Sequence, residues 1–342
     1  MTRLILLVAL VAAGYLVAWT LHIHGLEESG SYRLAATVLL AVGLYGSTAG
    51  IDLRIASANL RTILLATTVG VLLKAALIGT ALALILRDPS FLILGVVVAQ
   101  IDPLSVASIM GDTSMSERAR SILASWAAFD DPVTVMLTLS ATMMGTRFLG
   151  PGVSDGVAPL GAYAVTLGEN LGFAAVVYVL WLAIRRRAWL AHAVLGAMAM
   201  VAVWRFWMLG FAISGLFMRP AIADRMLRVT QGAMLLGAFL LGMLLIDGVD
   251  LRAGLLLGLA ACVAQVLVTL PLTIGLPGND RVHLAFAQQN GITAMVLALL
   301  LESEHRGVIG IVAPAILVTN FIHLVANGIV ERYVVKPSAV KG

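Results

Sequence analysis

The sequence predicts an all-α polytopic membrane protein of about 12 transmembrane helices, built as an inverted-topology repeat with two broken helices. Three observations predict it. Apolar runs close to the ~20 residues that span a bilayer recur from end to end. Basic residues fall unequally on the two sides those runs define. The two halves of the chain carry the same short motifs in the same order. The 342 residues are 61% hydrophobic and 12% charged, with a mean hydropathy of +1.01. A soluble globular domain has no use for that much apolar surface.

The predicted spans are 3–20, 34–51, 62–86, 91–110, 119–145, 163–184, 189–205, 208–220, 229–246, 253–274, 282–301 and 308–330. The first run, Leu4 to Thr20, resembles a signal peptide. It is long for an h-region and further spans follow at once, so it reads as a retained helix. Residues 189–220 form either one long helix or two short ones broken near Gly210, and charge decides between them. With 12 helices and a cytoplasmic N-terminus, one side holds 15 of the 22 lysines and arginines, including Arg185, Arg186 and Arg187. The other side holds 6, namely Arg33, Arg87, Arg147, Arg205, Arg252 and Arg306, and Lys74 remains inside a helix. Merging 189–220 erases this bias, so the positive-inside rule favours 12 helices with both termini cytoplasmic.

The repeat agrees with that count. Ser47-Thr48-Ala49-Gly50-Ile51-Asp52-Leu53-Arg54 is echoed by Leu245-Ile246-Asp247-Gly248-Val249-Asp250-Leu251-Arg252. Ala99-Gln100-Ile101-Asp102 is echoed by Ala287-Gln288-Gln289-Asn290. Helices 1–5 then match helices 8–12, and an odd offset reverses their direction through the membrane. The expected units are a first repeat at 1–145, linking helices at 146–205, a second repeat at 206–330, and a short cytoplasmic tail at 331–342.

Polar residues inside these runs mark a candidate site. Asp130 and Asp131 sit side by side in helix 5. Each carboxylate at that depth costs about 2.5–3.5 kcal/mol on insertion scales, and the two repel each other, so they need a partner or a purpose. Moving protons, cations or both is such a purpose. The two side chains point about 100° apart on a helix, so they cannot face one site equally. Helix 4 carries Gln100, Asp102, Pro103 and Ser105. Pro103 lacks a backbone N–H and disfavours helix at the residue before it, so a break is expected near 101–103. Asp102 can then accept from exposed N–H groups where a half-helix starts. Helix 11 carries Gln288, Gln289, Asn290, Gly291 and Thr293, a second expected break at the matching place. Lys74 is the one lysine inside a predicted span, and Asp102, Asp130 and Asp131 are all candidate partners. Gln265 is a lone polar residue six positions before Pro271.

These residues resemble the monovalent cation:proton antiporter superfamily, the group with the sodium/proton-antiporter fold. The resemblance covers about residues 34–330. Ile101-Asp102-Pro103 is similar to the family's Thr-Asp-Pro break, with isoleucine in the threonine position. Asp130-Asp131 resembles its paired acidic motif on the next helix. Gly50-Ile51-Asp52-Leu53, Ser214-Gly215, Ala264-Gln265 through Pro271, and Asn290-Gly291 followed by Val296-Leu297-Ala298-Leu299 match more weakly. Two departures remove positive charge. Gln265 stands where the family has a basic residue, and Asn290 stands where its second broken helix has arginine. Lys74, on the pseudo-symmetric helix, is the compensating candidate.

The resemblance implies a homodimer whose protomers each have a scaffold and a mobile six-helix core in which the broken helices cross. It implies exchange of Na+ (with Li+ or K+ as alternatives) for protons by an elevator motion. Asp131 would be the principal ligand and proton carrier, with Na+ at Asp131 and Asp130, and Asp102 would balance the half-helix ends. If both aspartates cycle, exchange moves net charge; if only Asp131 does, it is neutral. The absence of a basic residue at 265 favours the first. The competing reading is a sodium-coupled symporter of an organic anion on the same fold, which adjacent carboxylates disfavour. The expected location is the plasma (inner) membrane of a prokaryote, with no resident cofactor and no nucleic-acid partner. No Ser/His/Asp set or metal-ligand spacing points to an enzyme. The single Cys262 rules out an internal disulfide, and His22 and His24 read as interfacial.

Overall fold

A computed structural model describes residues 2–49, 51, 53–102, 106, 115–148, 159–219, 223–302 and 305–330. The predicted site residues Pro103 and Ser105, and the tail at 331–342, lie outside the described residues. Every regular element among them is helical. In chain order these are α1 (Thr2–Leu21), α2 (Gly30–Ala49), α3 (Leu53–Ala58) and α4 (Leu60–Leu65). A π-helical turn at Ala66–Gly70 joins α4 to α5 (Val71–Leu86). Then come α6 (Leu92–Val97), α7 (Glu117–Phe148), α8 (Pro159–Ile184), α9 (Ala188–Arg205) and α10 (Met208–Ser214). The chain ends with α11 (Ala223–Leu244), α12 (Leu251–Leu272), α13 (Gly278–Ala285), α14 (Ile292–Glu302) and α15 (Val308–Val330).

Side chains at the ends explain several boundaries. Asp250 caps α12 by accepting from the Ala253 N–H at 2.9 Å. Glu302 accepts from the Ile309 N–H at 2.7 Å, satisfying a donor at the start of α15. In the turn after α5, Asp88 accepts from the Ser90 N–H at 2.9 Å, which draws its carboxyl below the usual carboxylate range.

The segment 189–220 does contain two helices, but the break falls at Phe206, whose φ of 58° ends α9 in the left-handed region. Gly210 lies inside α10 and serves close packing instead. A Cβ there would overlap the Asn170 carbonyl, and the Gly210 N–H donates to Asn170 Oδ1 at 2.8 Å.

Five described helices are long and apolar enough to cross a membrane: Leu60–Leu86, Ala164–Ile184, Ala188–Arg205, Leu251–Leu272 and Val308–Ala326. Shorter apolar helices run through Ile5–Leu21, Arg228–Leu244 and Thr293–Glu302. α6 and α13 are too short to qualify, at 6 and 8 residues, because each stops at a non-helical stretch. Large apolar side chains such as Trp204, Leu84 and Trp189 point outward, as they do where lipid is the solvent. The chain is therefore a polytopic, membrane-embedded helical protein.

Small residues let the helices approach. α1 lies along α11, where a Cβ at Gly14 would overlap the Phe239 carbonyl and one at Gly242 the Val11 carbonyl. Thr48 Oγ1 ties α2 to α10 by donating to the Ala212 carbonyl, and Tyr45 Oη ties it to the turn after α10 by donating to the Met218 carbonyl, each at 2.6 Å. α5 crosses α6 where a Cβ at Gly95 would overlap the Ala75 carbonyl and the Gly79 backbone. Gly95→Ala is expected to destabilise the protein by about 1–3 kcal/mol through overpacking. Gly196→Ala, in open space on α9, should leave stability unchanged or slightly raised. Thermal unfolding of both variants in detergent checks the contrast, and equal midpoints would contradict the packing account.

Candidate functional site

Two non-helical stretches meet in the interior. The first, residues 98–102, follows α6, and the second, residues 286–291, separates α13 from α14. Backbone groups freed from a helix inside a membrane must find partners in protein or water. Here each stretch supplies them to the other. The Asp102 N–H donates to the Gln289 carbonyl at 2.9 Å. Gln288 Nε2 donates to the Val98 and Gln100 carbonyls, both at 2.9 Å. Asn290 Nδ2 donates to the same two carbonyls at 3.0 and 3.3 Å. The three-amide run thus contributes two donors to the crossing, and Gln289 contributes its backbone.

Asp102 is buried, with its carboxylate against Gly291, where a Cβ would overlap it. Gly291 opens α14, since its carbonyl accepts from the Met295 N–H at 3.1 Å. The carboxylate therefore sits at the positive end of a half-helix, on the broken segment opposite its own.

α7 runs unbroken through Pro132 and carries both remaining aspartates into this crossing. They have different partners. Lys74 Nζ lies 3.2 Å from Asp130 Oδ2, and both side chains are 0% exposed. The same ammonium lies 5.2 Å over the Trp126 ring, a favourable cation–π placement. Of the three carboxylates within Lys74's expected reach, Asp130 is the one it meets. Asp131 faces elsewhere: its Oδ2 accepts from Thr293 Oγ1 at 2.7 Å. Asp131 Oδ1 and both ends of the fully buried Gln100 amide have no hydrogen-bond partner among the described residues. The split follows from the ~100° between adjacent helix positions, which turns one carboxylate toward α5 and the other toward α14.

Gln265 does not take up the acidic pair. Its Nε2 donates to the Leu284 carbonyl at 3.1 Å, near the C-terminal end of α13. Three residues not singled out from sequence also reach the crossing. One is Trp126. The other two lie on α15: Asn320 Nδ2 donates to the Asn290 carbonyl at 3.0 Å, and His323 Nδ1 meets the Phe286 carbonyl at 2.7 Å. Asn320 and His323 stand three apart inside an apolar span, and that spacing is the signal that would have marked them.

No family model matches the chain, and no curated protein matches it by sequence. Solved structures do match. The sodium/proton antiporter MjNhaP1 of Methanocaldococcus jannaschii superposes with a TM-score of 0.69 at 16% sequence identity. The match covers 96% of this chain and 98% of the antiporter. The chain has the fold of a sodium/proton antiporter. That likeness extends over nearly the whole length of both chains.

Proposed function

We propose that the protein is a secondary active antiporter that exchanges a monovalent cation, Na+ first and Li+ or K+ after it, for protons. The observation that carries this reading is the division of labour between adjacent carboxylates. Asp130 is held by Lys74, while Asp131 lies fully buried with one oxygen on Thr293. A buried acid with one oxygen unengaged by any described residue suits a site that a proton and a cation occupy in turn. Carboxylate, hydroxyl and carbonyl oxygens suit small hard cations. Competition at Asp131 makes the coupling reciprocal: a bound cation lowers proton affinity and a bound proton lowers cation affinity.

In this reading the chain spans the membrane 12 times. The first repeat is 1–145, the linking helices are 146–205 and the second repeat is 206–330. The two crossing stretches are the matched breaks of an inverted repeat. α3–α7 and α12–α15 form the mobile core, which carries the site between faces against a scaffold of the other helices. The protein works as a homodimer in a prokaryotic plasma membrane, with both termini cytoplasmic, as a transporter and not an enzyme. Lys74 supplies to Asp130 the positive charge that Gln265 does not. Asp130 is then neutralised without a proton, which supports neutral exchange through Asp131 alone over the charge-moving alternative.

The test is proton flux in proteoliposomes holding a pH gradient, with Na+, Li+ or K+ added in turn at clamped and free membrane potential. Cation-specific dissipation that ignores voltage is the expected result. Voltage dependence would overturn the neutral stoichiometry. No response to any of the three cations, together with organic-anion-stimulated Na+ uptake, would overturn the antiporter in favour of a symporter.

A further inference from the structure

The break between α13 and α14 leaves carbonyl groups without helical partners, at the C-terminal end of α13 and along the unwound stretch. In an apolar interior each such group is costly unless it is bonded. α15 answers at both edges of the break. His323 takes the Phe286 carbonyl and Asn320 takes the Asn290 carbonyl, at 2.7 and 3.0 Å. A carbonyl only accepts, so His323 carries its proton on Nδ1. The two residues are three apart, on one face of a continuous helix, and they bracket residues 287–289 between them. Asn290 is held twice. Its carbonyl is bound by Asn320, and its side chain binds the Val98 and Gln100 carbonyls. Three residues further on, Thr293 donates to Asp131.

We infer that Asn320 and His323 are positioning residues: a bracket on α15 that fixes the second broken segment and so sets how Thr293 meets Asp131. The role in affinity rests on the antiporter reading; the bracket itself does not. In that reading the cation's ligand is Asp131, and neither Asn320 nor His323 is assigned to it. Their loss should therefore weaken cation binding while sparing the maximal rate.

The experiment uses the full chain with Asn320→Leu, Asn320→Ser, His323→Leu and His323→Gln. Asn320→Ser is the gentler variant, with a donor too short to reach the carbonyl. His323→Gln keeps a donor and serves as the conservative rescue. Half-saturating Na+ should rise about tenfold in Asn320→Leu, Asn320→Ser and His323→Leu, the size expected for one buried hydrogen bond. Maximal rates should stay within about threefold, and His323→Gln should match wild type, since the bond and not the charge is what counts. In parallel, amide hydrogen exchange in detergent without added Na+ should quicken across residues 286–292 in the three donor-lacking variants, and not in His323→Gln. Unchanged exchange there overturns the bracket whatever the flux. Quickened exchange with unchanged half-saturation overturns the role in affinity. Wild type without cation-coupled flux overturns the antiporter reading, and the exchange data then decide the bracket alone.

Discussion

Asp131→Asn is expected to reduce cation-coupled proton flux to the level of empty liposomes while leaving the protein folded. The asparagine amide is nearly isosteric with the carboxylate, and its oxygen can still accept from Thr293 Oγ1, which now lies 2.7 Å from Asp131 Oδ2. The local geometry survives. What disappears is the charge that a cation balances and the oxygen that a proton occupies. Because Asp131 is fully buried, removing its charge should cost no stability and should raise the thermal midpoint if anything. The two readouts therefore move apart: transport is lost and the fold is kept. Coupled exchange surviving in this variant would remove Asp131 from the mechanism. Thr293→Val is the graded companion. It keeps the carboxylate but takes away its donor, so transport should persist with altered cation affinity.

Much of the arrangement of this candidate site is legible in the sequence, for a physical reason. A proline after an aspartate, and three amides before a glycine, are expensive inside apolar runs, so each marks backbone that leaves the helix. Both stretches are non-helical where expected, although the first begins three residues earlier than Pro103 alone suggests. Lys74 was legible as needing an acid, but not which acid. Asp102, Asp130 and Asp131 all lie near one crossing, and one-dimensional spacing cannot rank them. Asp102 illustrates the limit further, since its carboxylate serves the start of α14. Gln265 was read by the position it occupies, yet its amide holds a carbonyl of α13. Gly210 misled because a glycine in an apolar run signals either a break or a close approach, and here it is the approach. Asn320 and His323 stayed hidden because a single polar residue in an apolar span usually bonds across helices, and only the fold shows that the bond is to unwound backbone.

The Lys74–Asp130 pair is where the largest stability effect is expected. With both side chains at 0% exposure, Lys74→Gln leaves Asp130 as a buried charge without its counter-ion. The expected loss is about 3–5 kcal/mol, as for other buried pairs broken on one side. Asp130→Asn should cost a similar amount by stranding the ammonium, partly offset by the Trp126 ring that Lys74 lies over. Lys74→Gln combined with Asp130→Asn removes both charges and leaves two amides able to bond each other. Its stability should return most of the way to wild type, so the two substitutions are far from additive. Thermal unfolding of the four proteins in detergent measures this coupling. Additive losses would mean that Lys74 and Asp130 do not depend on each other, and the pairing would fall. The same double variant also tests the stoichiometry. If the pair only cancels its own charge, the double variant retains Asp131 and should still exchange cations for protons without voltage dependence. If Asp130 or Lys74 gives up a proton during the cycle, removing both must change the number of protons moved per cation. An altered ratio in a stable double variant would therefore make the pair part of the cycle.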